Sequence, residues 1–292
     1  MLERQETMRY KFLRYPEGKT KAVTFSYYDA CKQDMKTAQI LTKYGMKGTF
    51  NFNGYAMRGN SALTEEEAKT YLLDQGHEIA VHGANHAAAG VVRPIEGIRD
   101  VLNCRLELEK KYDRIIRGMA YPDCGVTMFA NGTTYQDVKN YLTQLDIAYA
   151  RSLAGDNNLF ELPTDWHAWV PTAHHNNPQI LNWIDEFLEL DLSKKISSCR
   201  RNAGLFYIWG HSYEFDNDQN WDHFEKICQK LAACEDIWYA TNIEIYEYVN
   251  AYYSLVYSAD CTKVYNPTLF KIWFDVDGTQ YAIEPGQTLT IE

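Results

Sequence analysis

The feature that most constrains the fold is a repeated alternation of short β-rich apolar runs with helical patterns. Residues 22–27 (AVTFSY) read as a buried strand. Residues 35–44 follow with helical spacing, and Gly45 stops them. Residues 48–52 (GTFNF) give a second strand, and Thr64 with Glu67 opens a helix through a capping box. Strands follow at 77–82, 115–121, 147–153, 205–209 and 237–240. Helical patterns lie at 95–112, 135–145, 180–190, 221–233 and 243–253. This order predicts an α/β fold of about seven parallel strands covered by helices. After residue 253 the pattern changes. Residues 255–258, 269–276 and 279–283 are β-rich, and Asp277-Gly278 is a hairpin turn. The expected division is a (β/α) barrel over 1–253 with an antiparallel β extension, 254–292, packed on it.

Composition excludes several function classes. The formal net charge is −10 and the cations are scattered, so no nucleic-acid partner is expected. The seven cysteines, Cys199 among them, are odd in number and form no C-x-x-C, which argues against a disulfide framework or a thiolate zinc site. Free thiols and the lack of an apolar leader lead to the expectation of a cytoplasmic protein. No run of about 18 apolar residues calls for a membrane span. G-x-S-x-G, Walker and G-x-G-x-x-G motifs are absent. The oligomeric state is not readable. The 22 tyrosines and 7 tryptophans suit both core packing and flat ligand-facing surfaces.

Three candidate functional groups stand at strand carboxyl ends, where parallel α/β folds place their chemistry. His82 and His86 form H-x-x-x-H after one strand, and Asp29 follows another. Two imidazoles, a carboxylate and water are a usual hydrolytic zinc set. Read singly, the histidines are also ordinary loop residues and Asp29 an ordinary turn residue. His211 ends the strand LFYIWG and is a candidate general acid, or a core-edge histidine. Trp166, Trp169, His174 and His175 fall in one region and form either a cleft wall or packing. Glu214 and Asp216 either orient His211 or form a solvated loop.

Together and in order, these residues resemble the polysaccharide deacetylases, carbohydrate esterase family four. Ser26-Tyr27-Tyr28-Asp29-Ala30 aligns with the S-Y-D-D-G form of the first motif. His82-Gly83-Ala84-Asn85-His86 aligns with H-[ST]-x-x-H, and Gly48–Phe52 resembles A-T-F-F. Arg117 to Pro122 stands at R-x-P-Y, and Trp209-Gly210-His211 at L-x-H. The resemblance implies a distorted (β/α) barrel with a divalent metal, commonly zinc, held by Asp29, His82 and His86. It implies hydrolysis of a non-peptide C–N bond, foremost N-deacetylation of an acetylated carbohydrate. His211 would be the acid, with Tyr121, Pro122, Trp166, Trp169 and His175 lining the substrate.

The departures set up alternatives. Tyr28 stands where the resemblance implies the base, and a phenol with a pKa near ~10 is a poor base. Ala30 replaces glycine, Ala120 replaces the motif arginine, and Asp123 replaces the tyrosine after Pro122. Asp123 is one candidate substitute base. The other readings are a small cyclic-amide hydrolase and a catalytically silent barrel that binds a glycan or metabolite.

Overall fold

A computed structural model of the chain describes residues 9–54, 61–153, 159–192, 203–232 and 234–291. Cys199, residue 233 and the first eight residues, on which parts of the expectations above rest, lie outside the described residues. The strands are β1 Lys11–Arg14, β2 Lys21–Tyr28, β3 Gly48–Phe52, β4 Glu78–Val81, β5 Gly118–Ala120, β6 Tyr149–Arg151, β7 Ala173–His174, β8 Gly204–Gly210, β9 Ile237–Tyr239, β10 Val256–Tyr257, β11 Lys263–Tyr265, β12 Ile272–Val276, β13 Thr279–Ile283 and β14 Thr288–Thr290. The helices are α1 Asp34–Lys43, α2 Glu65–Tyr71, α3 Pro94–Tyr112, α4 Tyr135–Gln144, α5 Ile180–Glu189, α6 Glu214–Asn217, α7 Trp221–Leu231 and α8 Asn242–Tyr253.

The architecture is the expected α/β one, a distorted and curled parallel sheet flanked by helices. Seven strands run in the order β6-β5-β4-β3-β2-β8-β7. One edge of β2 pairs with β9 over Lys21 to Val23 and with β3 over Phe25 to Tyr28. Two expected strands are shorter than their apolar runs. Residues 115–121 contribute only Gly118–Ala120, with Ile115 80% exposed, and 147–153 contribute only Tyr149–Arg151.

Alternation along β2 builds the two faces of the sheet. Val23, Phe25 and Tyr27 enter the helix-covered core, where Phe25 meets Phe224 of α7 edge-on at 6.1 Å. The residues between them face the concave side, which is polar. There the Thr24 hydroxyl donates to Asn242 Oδ1 at 2.8 Å, and Asn51 Nδ2 donates to Ser26 Oγ at 2.8 Å. Asn242 Nδ2 donates to the Tyr207 hydroxyl at 2.5 Å, and its backbone N–H donates to Thr49 Oγ1 at 3.0 Å. Asn242 opens α8 behind the Thr241–Glu244 capping box, so this helix start closes the floor of the half-barrel. The Thr64–Glu67 box expected at α2 is also present.

The C-terminal strands are antiparallel. β12 and β13 meet through Asp277 and Gly278, at φ 51° and 94°, as the Asp-Gly hairpin predicts. β12 also pairs with β1, so the N-terminal strand joins this sheet. Leu13, Ile272, Phe274 and Ile283 share a core with Tyr248 of α8.

Asn242→Ala removes the partner of the buried Thr24 hydroxyl and one of two partners of the Tyr207 hydroxyl, which keeps Ser26. A stability loss of about 2–4 kcal/mol is expected, read from the urea midpoint at unchanged slope. A loss below about 0.5 kcal/mol would show that the floor contacts are not structural.

Candidate metal centre

Asp29 leaves β2 with φ 81°, and its backbone N–H donates to Asn51 O at 3.2 Å. His82 follows β4 and is anchored by its N–H to Phe52 O at 2.8 Å. The His82 Nδ1 lies 2.9 Å from the Ala120 carbonyl. A carbonyl only accepts, so Nδ1 carries the proton and Nε2 presents a lone pair. Burial holds the His82 pKa down to about 3, so the ring is neutral.

The turn from His82 to His86 is held by Asp100 of α3, which sequence reasoning missed. Its carboxylate accepts from the N–H of Asn85 at 2.6 Å and of Ala87 at 3.4 Å. Gly83, at φ 72°, passes so close that a Cβ there would lie 2.3 Å from Asp100 Oδ2. His86 takes φ 55° and points Nε2 inward. Asp29 Oδ1 is then 3.6 Å from His82 Nε2 and 3.8 Å from His86 Nε2.

All three ligand atoms of Asp29, His82 and His86 lie within 4.8 Å of one another. His82 Nε2 is buried with no hydrogen-bond partner. The His82 Nε2 lone pair and the Asp29 carboxylate converge without a hydrogen bond between them, and a divalent cation relieves their repulsion. The donor set therefore fits the metal implied by the sequence.

The remaining expected residues fall in three places. Tyr28 lies beside the cluster, 5% exposed, with ring centroids 4.8 Å from His82 and 3.9 Å from His211. Burial raises its pKa well above the ordinary phenol value, against the opposing charge of Arg151, so it stays protonated. Asp123 Oδ2 lies 3.5 Å from His86 Nδ1, the ring edge opposite the one that faces Asp29. Tyr121 is buried, and its hydroxyl donates to the His167 carbonyl at 2.8 Å, while Pro122 accepts from Gly125 N–H. Trp169 packs on Tyr149 and Tyr207, and Trp166 packs between Trp169 and Tyr246 of α8. Ala30 stands where the resemblance has glycine. It adopts φ 51° although alanine does so at a cost, and its N-terminal neighbour Asp29 is left-handed as well.

A second cluster surrounds Glu214. Its carboxylate lies 3.1 Å from His174 Nε2, 3.2 Å from His175 Nε2 and 3.1 Å from His211 Nδ1. Burial opposes its charge, but hydrogen bonds from His174 and His211 prevail and hold the carboxyl well below its usual range. His174 Nδ1 accepts the Asn176 N–H at 3.1 Å, so its proton sits on Nε2 and goes to Glu214. That tautomer makes this group a carboxylate held by the imidazole donors of His174 and His211 rather than a set of metal ligands. His175 is fully buried against Phe215, 4.2 Å between rings. His211 keeps its Nδ1 turned to Glu214, which leaves Nε2 for chemistry.

Beneath both clusters Asp34 starts α1, fully buried. Burial pushes its carboxyl up to about 7, against hydrogen bonds from Ser212 and Cys31.

The model of the polysaccharide deacetylase family matches residues 14–149, just under half of the chain. This span includes Asp29, His82, His86 and Asp123 and stops before His211. A crystal structure from Mycobacterium smegmatis, provisionally described as a polysaccharide deacetylase, is similar at 17% identity with a TM-score of 0.54. The match covers 82% of this chain and 94% of that one, and it shows a shared fold. An acetyl xylan esterase of Clostridium thermocellum in complex with cobalt aligns at 14% identity and TM-score 0.49, over 78% and 91% of the two chains. A family-four pseudoenzyme from Bacillus anthracis aligns at 14% identity and TM-score 0.45, over 80% and 68%. A search of curated proteins finds no match.

The folded Asp34 pKa lies above its unfolded value near 3.8. Its contribution to stability is thus fully present below that value and is lost as pH rises through about 7. Asp34→Asn removes this slope. Urea melts at about pH 5 and about pH 8 should show the wild type losing stability relative to the variant at the higher pH. Parallel pH curves for the two proteins would refute the assignment.

Proposed function

We propose that the chain is a metal-dependent hydrolase of the polysaccharide deacetylase kind, acting on a non-peptide C–N bond. The observation that carries this reading is the convergence of three acceptors, Asp29, His82 Nε2 and His86 Nε2, at the carboxyl ends of β2 and β4. Asp29, His82 and His86 hold the divalent ion, with zinc the first candidate. Such an ion, when bound, polarises an amide carbonyl and lowers the pKa of water. Asp123 orients His86 through Nδ1, as outer partners of metal-binding histidines do.

Acid–base work falls to His211. Glu214 fixes its Nδ1–H tautomer and stabilises the imidazolium that forms when Nε2 takes a proton. His211 then returns this proton to the leaving amine. Tyr28, held as a phenol, is no base and serves as a wall between His82 and His211. Acetylated carbohydrates and small amides are the substrate classes in view. Pro122 and Trp166 remain candidate lining groups, whereas Tyr121, Trp169 and His175 are buried in packing.

A second reading is a silent barrel that binds without turnover, and the phenol at position 28 favours it. Metal content separates part of the question. Elemental analysis should find about one divalent ion per wild-type chain and a large loss in His82→Ala. No metal after supplementation would sink the metallohydrolase reading.

Turnover separates the rest. With metal present, release of acetate from N-acetylated sugar oligomers, or ring opening of a cyclic amide, should fall about 100-fold or more in His211→Ala. Metal binding with no turnover of either substrate would support the silent barrel.

A further inference from the structure

Arg151 ends β6 and lies fully buried on the concave side of the sheet. Its guanidinium carbon is 4.7 Å from the Tyr28 ring centroid and 4.9 Å from that of Trp209. Its charge acts on both Tyr28 and His82, which places it at the metal cluster. Among the described residues none of its three guanidinium nitrogens, Nε, Nη1 and Nη2, makes a hydrogen bond of good geometry, and the Tyr28 hydroxyl, which interacts with it, is the one polar group that partly answers its five donors. Aromatic faces attract a cation but do not satisfy five N–H donors. A buried cation without a partner is costly, and a carboxylate meets the guanidinium fork in matching geometry.

The local charge balance points the same way. A divalent ion on Asp29, with neutral histidines, leaves one positive charge uncompensated, and Arg151 adds another. Glu214 is engaged by the imidazoles of His174 and His211, and Asp123 is 61% exposed on the far edge of His86. No ion pair to the guanidinium is seen among the described residues.

We infer that Arg151 is an anion-recognition residue, and that the natural ligand of this site carries a carboxylate. A neutral acetylated sugar leaves Arg151 unsatisfied. An amide whose molecule also bears a carboxylate satisfies it, so the inference narrows the substrate class of the proposed hydrolase. It rests on that reading for the position of the scissile bond and for the charge balance, whereas the buried guanidinium is present with or without a metal. Entry of the carboxylate displaces the Tyr28 ring, which with Trp209 covers the cation.

The test uses the metal-free full-length chain, so that a bound ion does not capture the probe. Acetate is added in large excess, with neutral acetamide at equal concentration and chloride at equal ionic strength as controls. Acetate should raise the thermal midpoint by about 2 °C or more, and the controls should not. The response should disappear in Arg151→Gln and weaken in Arg151→Lys. It should also disappear in Tyr28→Asp, whose own carboxylate meets Arg151, which keeps the test open if Arg151→Gln fails to fold. An equal acetate response in wild type and Arg151→Gln, or none in wild type, overturns the inference. The metal content of the wild type is measured separately, so a failed metal site and a failed anion site give different results.

Discussion

The site depends on one constraint, the two-residue alternation of β2 within a sheet buried on both faces. Val23, Phe25 and Tyr27 must enter the helix-covered core, so Thr24, Ser26 and Tyr28 must face the concave side. A slip of one residue would place Phe25 among the polar groups of the floor and Tyr28 in the core. Register is therefore fixed by apolar burial far from the chemistry. Its consequence at the strand's end is that Tyr28 reaches the cluster and Asp29 takes up φ 81° beside it. The left-handed conformations of Asp29, Ala30, His86 and Asp123 gather at this end of the sheet. Residues held at such angles cost energy that the surrounding packing must cover, and they are common at functional sites.

Much of this was legible in the sequence, and the reasons differ by element. The alternation of β-rich and helical runs predicted the parallel sheet because each run carries its own period. The Thr64–Glu67 box and the Asp277-Gly278 turn were legible because their partners lie within a few residues. Asp29, His82 and His86 were picked as strand-end residues, and the fold brings them together. β1 escaped notice because four residues give no period and its partner β12 lies some 260 positions away. Asp100 escaped for a similar reason. It reads as one more acidic residue on an amphipathic helix, and only the fold turns it toward the His82–His86 turn. Glu214 was noted as a possible orienter of His211, but its contacts with His174 and His175, some 40 residues earlier, needed the structure. Arg151 ends an ordinary strand run, and nothing local marks a cation without a partner.

The electrostatics of the two clusters divide the work. At Asp29, His82 and His86 the protons are directed away. Ala120 O takes the one on His82, and Asp123 faces the Nδ1 edge of His86, so lone pairs are left in the middle. At Glu214 the arrangement is reversed, with the imidazole protons of His174 and His211 directed inward to a carboxylate. The first pattern attracts a cation and the second fixes the ring of His211 with Nδ1 toward Glu214. Tyr28 separates them and touches a ring of each.

This division also accounts for how a tyrosine fits at position 28. A carboxylate there would face Arg151 and form a buried ion pair, whose desolvation cost is comparable to its attraction. The phenol ring instead packs on Trp209, 6.0 Å between nearly parallel rings, and on His211, and gives the guanidinium an aromatic face. Packing and cation–π attraction thus replace an ion pair at modest net difference in stability. A neutral phenol supplies neither a base nor a counter-charge, which is why the proposed acid–base work falls to His211. The missing negative charge must then come from the ligand, and this is why the tyrosine bears more on what the protein binds than on how it folds.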